Sequence, residues 1–115
     1  MQRDRLRLAD VIEAAEAILR AVSGVTKEQF EVDEDLRDIV LWRFTKLGEA
    51  VHQLSAELRL RHSNVEWAAA TAFRNRIVHG YFDIDERVVY DAASDDIPRL
   101  LDAVRSVVKE EFSDD

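Results

Sequence analysis

The chain has no cysteine, so neither a disulfide nor a thiolate metal site can form. That absence fits a reducing compartment, and a cytoplasmic location is the expectation. Proline occurs once, at Pro98, and glycine three times, at Gly24, Gly48 and Gly80. So few breakers leave long uninterrupted segments, which favour helices over a many-turned β fold. No apolar run approaches the roughly 18 residues of a membrane span. Arg3, Arg5 and Arg7 interrupt the stretch where a signal peptide would be apolar, so no membrane partner is expected. A glycine-rich phosphate loop and a nucleophile elbow are also missing. Excess positive charge is lacking too: 16 Lys and Arg stand against 24 Asp and Glu, a net charge of −8. A protein that holds nucleic acid by bulk charge is basic, so any RNA contact here must be local and concentrated. A basic protein partner fits the acidity equally well.

What is present is enough for one core. Of 115 residues, 47% are hydrophobic, which suits a single domain over residues 1–115. Apolar residues recur at helical spacing along most of it. Leu8, Ile12, Ala15, Leu19 and Val22 mark a first helix from Arg3 to Val22, stopped by Gly24. Val25 to Val32 reads as a connector with Phe30 tucked onto the core. Asp33 opens a second helix to about Arg59, with Leu36, Val40, Leu47, Val51, Leu54 and Leu58 in register. Gly48 lies inside it. A mid-helix glycine costs about 1 kcal/mol relative to alanine, and close approach of another helix is the simplest reason for one.

Arg59 to Ser63 reads as a turn, and Asn64 as the N-cap of a third helix that ends at Gly80. Asp83 or Asp85 can cap the next element after a short loop from Tyr81 to Ile84. Asp95 and Asp96 before Ile97-Pro98 give another start signal. Leu100, Leu101, Val104, Val107, Val108 and Phe112 then form the last amphipathic helix, with Ser113 to Asp115 expected to fray. The expected class is all-α: an antiparallel up-and-down bundle of four to five helices.

The third helix carries the informative residues. Trp67, Ala70, Phe73, Ile77 and Val78 form an apolar arc, and Arg74 falls inside it. A guanidinium there must be desolvated or directed into a cleft, which is costly unless an anion or carboxylate meets it. Glu49, next to Gly48, is a candidate carboxylate for a structural ion pair. Arg76 points the opposite way. His79 follows Arg74 by five residues, about 140° around an ideal helix, so the two share no face in the strict sense, yet a long side chain and a helix end can reach one groove. Ala68, Ala72, Asn75 and His79 line a separate stripe with Thr71 beside it. Small residues there let another helix approach, and a second copy around a two-fold axis would bring two sets of Arg74, Asn75 and His79 face to face. Histidine can move a proton from a ribose 2′-hydroxyl and arginine can stabilise charge on phosphate oxygens, a phosphodiester-cleaving set that uses no metal. Arg43, Lys46 and Arg76 can add local positive charge or simply form solvated faces. His52 and His62 offer no ligand spacing, and capping explains Asp83, Asp85 and Glu86 more cheaply than a cation does. Neither metal nor cofactor is expected. Trp42 and Trp67 read as core or interface residues.

The run Arg74-Asn75-Arg76-Ile77-Val78-His79-Gly80-Tyr81 resembles the Arg-x4-His-x-Tyr motif of the HEPN superfamily in its HepT-like toxin branch. Leu47-Gly48-Glu49-Ala50 resembles that branch's second-helix signature, and Val65-Glu66-Trp67 its apolar-Pro-Trp run with Glu66 in place of proline. Phe82-Asp83-Ile84-Asp85 and Ile97-Pro98-Arg99-Leu100 extend the likeness over roughly residues 5 to 110. The resemblance implies a HEPN-like homodimer with the motif at its interface and metal-independent RNA cleavage that leaves a 2′,3′-cyclic phosphate. It implies catalytic roles for Arg74 and His79, with Asn75 assisting and local support from Arg76, Lys46 and Glu49. It implies a cognate MNT-type (minimal) nucleotidyltransferase antitoxin that uses ATP to place AMP on Tyr81. Two alternatives stay open: a catalytically weak HEPN dimer that serves as binding partner and nucleotidyl acceptor, and a helical scaffold without an active site.

Overall fold

The computed structural model of the chain describes residues 2–113. Helix α1 spans Gln2–Val22, α2 Lys27–Val32, α3 Glu34–His52, α4 Ala56–Arg61 and α5 Trp67–His79. A 3₁₀ turn follows at Tyr81–Asp83, then α6 at Glu86–Asp91, a π-helical segment at Ala92–Asp96, and α7 at Ile97–Phe112. Of the tail expected to fray, Ser113 is the C-cap of α7, and the rest lies outside the described residues.

Helix α3 packs between α1 and α5, and α1 also packs on α7. The fully buried side chains include Leu8, Val11 and Ile18 of α1, Val40, Leu41, Leu47 and Val51 of α3, and Val104 and Val107 of α7. Each contributes roughly 1.5–3 kcal/mol by leaving water. The core follows the helical stripes read from the sequence in part: Val11, Ile18 and Leu41 join it, while Ile12, Leu19 and Leu36 are only partly buried. Among the described residues no helix is long and apolar enough to cross a membrane.

Several expected boundaries move, each for a local reason. The connector from Val25 to Val32 is partly helical. Thr26 and Gln29 form a capping box, with Gln29 N–H donating to Thr26 Oγ1 at 3.1 Å and Thr26 N–H to Gln29 Oε1 at 2.9 Å. That box starts α2 and drives Phe30 into the core, where it is fully buried against Tyr90. Gly24 ends α1 as expected, at φ +73°.

The second expected helix does not run to Arg59. It stops at His52, and a new helix begins at Ala56 because Ser55 is capped from a distance. The Asp4 carboxylate, buried on α1, accepts from Ser55 N–H at 2.9 Å and Ser55 Oγ at 2.7 Å, while Ser55 Oγ accepts from Leu58 N–H at 3.2 Å. A buried carboxylate requires such donors. Arg59 and Arg61, read as a turn, are therefore helical in α4.

Nor does Asn64 cap the third helix. Helix α5 starts at Trp67, with Glu66 at the cap position and no side-chain cap bond. Val65 and Trp67 are buried, and the Trp67 indole donates to the His62 carbonyl at 3.0 Å. Burying those two residues uses the stretch that would otherwise be the first turn. At the far end, Asp95 and Asp96 do not open a separate helix. The path from α6 to α7 is continuous through the π segment, which contains Ser94. Pro98 lacks an N–H and its ring crowds the carbonyl four residues back, here that of Ser94. A π turn at that place accommodates the proline without breaking the helix.

The C-terminal part of α7 is fastened to α4 by a small polar cluster. Glu111 accepts from Arg61 at 2.9 and 3.0 Å, and its Oε2 lies 2.6 Å from His62 Nε2. The Arg61 hydrogen bonds, and then the His62 contact, hold the Glu111 carboxyl down to about 2 from an ordinary 4.5. A carboxyl depressed in the folded state stabilises the fold above its unfolded value, and that contribution is lost as pH falls from about 4.5 to about 2. The Glu111→Gln variant should therefore be less stable than wild type at neutral pH, with the difference shrinking through that acid window. Urea unfolding followed by circular dichroism at pH 7, 4 and 2.5 checks it.

Candidate active site

The site starts at Gly48. A Cβ there would stand 2.3 Å from Arg74 Cβ and 3.0 Å from both the Ala70 carbonyl and Arg74 Cγ. Only the missing side chain lets α3 and α5 approach this closely. The contact places Arg74 against Glu49, with Nη2 3.2 Å from Glu49 Oε1. Arg74 Nη1 also donates to Asn75 Oδ1 at 2.9 Å, and its buried Nε has no hydrogen-bond partner. Both members of the ion pair keep water access, the side chains being 31% and 49% exposed. Such a pair contributes about 0–1 kcal/mol. Glu49 thus orients the guanidinium weakly, and an incoming phosphate can compete for it.

Arg74 opens onto a groove of about 590 Å³ between α1, α3 and α5. Arg7, Lys46 and Arg74 line it with three carboxylates, Asp10, Glu13 and Glu49. In a chain of net charge −8, a groove with balanced charge is a locally positive departure. Trp42 lines the same groove and is 60% exposed. Arg76, by contrast, lines a different groove of about 540 Å³ between α5 and the α6–α7 arm. The structure therefore brings together Arg74, Asn75, Glu49 and Lys46, and does not bring Arg76 to them.

His79 is the last residue of α5 and is exposed. Among the described residues it has no hydrogen-bond or ion-pair partner, and no bond joins it to Arg74 within the chain. Ala68, Ala72 and Asn75, its companions on the stripe of small residues, are exposed as well. Val78, assigned to the apolar arc, is 49% exposed. The buried part of that arc is Trp67 and Ile77, with Ala70 and Phe73 half-buried.

Tyr81 stands in the 3₁₀ turn after Gly80 and is 41% exposed. Its phenol does not point freely outward. Oη donates to Asp38 Oδ1 on α3. That hydrogen bond, followed by burial and the Asp38 charge, raises the phenol's pKa above its ordinary value, since each favours the neutral form. Sequence reasoning missed Asp38: the residues are 43 apart, and nothing in the local pattern of α3 marks a partner for the tyrosine. It also missed Phe82, 97% exposed beside Tyr81, and Arg7 and Trp42 as groove residues. The arginine was readable only as one of three breaking up the N-terminus.

Comparison with protein families decides the identity. The family model "Ribonuclease HepT-like" matches residues 11–107. This chain belongs to the HepT-like ribonuclease family. Its relatives differ in length and have diverged in sequence. The candidate RNase TTE0752 of Caldanaerobacter subterraneus subsp. tengcongensis is 28% identical over 96% of this chain and 99% of its own length. The probable ribonuclease HepT of Thermococcus cleftensis is 28% identical over 81% of this chain and 84% of its own. A longer Methanocaldococcus jannaschii protein, the gamma-glutamylcyclotransferase and candidate RNase MJ0434, is 25% identical over 96% of this chain, which spans half of that protein. No solved structure gives a significant match. Within this HepT-like chain the residues of the Arg-x4-His-x-Tyr motif occupy one end of α5 and the turn beyond it.

Gly48→Ala gains about 1 kcal/mol of helix propensity. It must also force apart two backbones in contact, at about 1–3 kcal/mol, and the 2.3 Å contact makes the second effect win. The variant should unfold several degrees lower in a thermal melt and lose the Arg74–Glu49 pairing. Calorimetry together with the Arg74 guanidinium signal in NMR checks both.

Proposed function

We propose that this chain is a metal-independent endoribonuclease and the toxin of a toxin–antitoxin pair. Its composite site would be formed by Arg74 and His79 of two protomers. The observation that carries the reading is the state of the two side chains. Arg74 is half-buried with an unused buried N–H. His79 is exposed, without a partner, on the adjacent helix end. Each is incomplete within one chain, and a two-fold axis along the Ala68–Ala72–Asn75 stripe would complete both.

In this mechanism His79 takes the proton from a ribose 2′-hydroxyl. The 2′-oxygen attacks the adjacent phosphorus, the bond to the 5′-oxygen breaks, and a 2′,3′-cyclic phosphate is left. Arg74 meets the charge that grows on the phosphate oxygens, its fork suited to two of them, and Asn75 holds the guanidinium through the bond to Nη1. Lys46 lies in the same groove and adds positive charge along the RNA. Silencing follows when a nucleotidyltransferase antitoxin moves AMP from ATP to Tyr81, adding bulk and negative charge two residues beyond His79. A second reading is favoured by the net charge of −8 and by the Glu49 carboxylate on Arg74. In it the dimer cleaves poorly, and its main role is to accept nucleotidyl groups.

His79→Ala should lower RNA cleavage by about 10²–10⁴-fold, leave the circular dichroism spectrum unchanged, and remove toxicity on expression. Cleavage by wild type should persist in EDTA. Wild-type activity in the His79 variant would sink the first reading, and absence of wild-type cleavage would leave the second. Sedimentation at micromolar concentration should give about twice the 13.2 kDa chain mass. A monomer would count against the composite site.

A further inference from the structure

Two consecutive residues of α3 hold the segment that follows α5. Arg37 Nη1 donates to Glu86 Oε1 at 2.8 Å, and Asp38 Oδ1 accepts from Tyr81 Oη. Both ends of the segment from Tyr81 to Glu86 are therefore tied to one turn of α3. The phenol has a fixed orientation while its ring stays open to solvent on one side. Tyr81 is Asp38's only hydrogen-bond partner among the described residues, so the carboxylate is not committed to capping or to an ion pair.

That arrangement bears on how a tyrosine oxygen can be modified. A phenol that donates to a carboxylate ionises less readily, so free phenolate is scarce near neutral pH. An attack by Oη must then lose its proton as the new bond forms, to a base already in contact. Asp38 is the base that the geometry supplies. We propose that Asp38 is the proton-accepting and positioning residue for attack of Tyr81 Oη on the α-phosphorus of a nucleoside triphosphate. The assignment rests on reading Tyr81 as the nucleotidyl acceptor.

The Oη–H bond breaks and its proton passes to Asp38. The freed electron pair on Oη forms the bond to the α-phosphorus. The bond from that phosphorus to the bridging oxygen breaks, and its pair leaves on pyrophosphate. A carboxylate is a far weaker base than a phenolate, so the proton moves only as the phosphorus–oxygen bond develops. The product oxygen has no hydrogen left to donate, and its phosphodiester anion faces the Asp38 carboxylate once that proton is lost to water. The Tyr81–Asp38 tie is thus released by the modification, while the Arg37–Glu86 tie remains.

The test compares full-length wild type with Asp38→Asn, Asp38→Glu and Tyr81→Phe, using two probes. One is ATP with a minimal nucleotidyltransferase of the MNT type. The other is a fluorophosphonate, which forms the same oxygen–phosphorus bond with fluoride leaving and needs no enzyme. Modification of Tyr81 is followed by peptide mass spectrometry from pH 6 to 10. With both probes, Asp38→Asn should slow it about 10²-fold at pH 7. The wild-type rate should be nearly flat between pH 7 and 9, and the Asp38→Asn rate should climb about tenfold per pH unit, because hydroxide must then remove the proton. Asp38→Glu should restore the flat profile, which a merely structural role would not do. Equal rates and slopes in wild type and Asp38→Asn with both probes would overturn the proposal. A slower enzyme reaction with unchanged fluorophosphonate kinetics would overturn it as well, assigning Asp38 to enzyme docking. If the enzyme leaves wild-type Tyr81 unmodified while fluorophosphonate labelling depends on Asp38, the AMP switch falls and the role of Asp38 as proton acceptor stands.

Discussion

The close contact of α3 and α5 at Gly48 is the constraint on which the site depends. With no side chain at that position, the Arg74 Cβ occupies space that any other residue would claim. The arginine is thereby anchored at its base by backbone and left to choose partners only at its tip. At the tip it meets Glu49 and Asn75, both weakly held and partly in water. A rigid stem with a lightly engaged head suits a group that must bind a phosphate in one state and stay neutralised in another. A fully buried Arg74–Glu49 bridge would have been costly to desolvate and costly to break.

The same pair of helices sets the loop chemistry. Helix α3 meets α5 at Gly48 and meets the turn beyond α5 through Arg37 and Asp38. His79 lies between those two attachments, at the end of a helix whose neighbours on both sides are fixed. Its own side chain is left unengaged. An imidazole that makes no hydrogen bond within the fold keeps its ring nitrogens open to an external group.

Charge distribution reconciles an acidic chain with membership in a ribonuclease family. Bulk attraction to RNA is absent at a net charge of −8, and long-range steering would oppose approach. Arg7, Lys46 and Arg74 concentrate what cation density there is in one groove, although carboxylates match them there. Under the proposed function, RNA would then be held by contacts at the groove itself.

Periodicity and breakers were enough to place the long helices. The stripes on α1, α3 and α7, the stop at Gly24 and the helix end at Gly80 depend on residues within a few positions of one another, and a lone glycine inside a helix was enough to expect a close approach at Gly48. The capping box of Thr26 and Gln29 is equally local, yet the segment was read as a connector. The motif from Arg74 to Tyr81 was legible because its spacing lies within one helix and the turn after it. Apart from the Arg74–Glu49 pair, anticipated from the glycine beside Glu49 and present in the fold, pairings between distant positions were not legible. Asp4 cuts the second helix by capping Ser55 from 51 residues away. Burial of Val65 and Trp67, not the side chain of Asn64, sets where α5 begins. Asp38 reaches Tyr81 across 43 residues, and Arg7 and Trp42 enter the groove only because α1 and α3 lie side by side. Local patterns encode which segments coil and which face is apolar. The partner of most polar groups depends on how the helices pack, so the environments of His79 and Tyr81 were decided only by the tertiary structure, whereas the Glu49 partner of Arg74 was already suggested by the sequence.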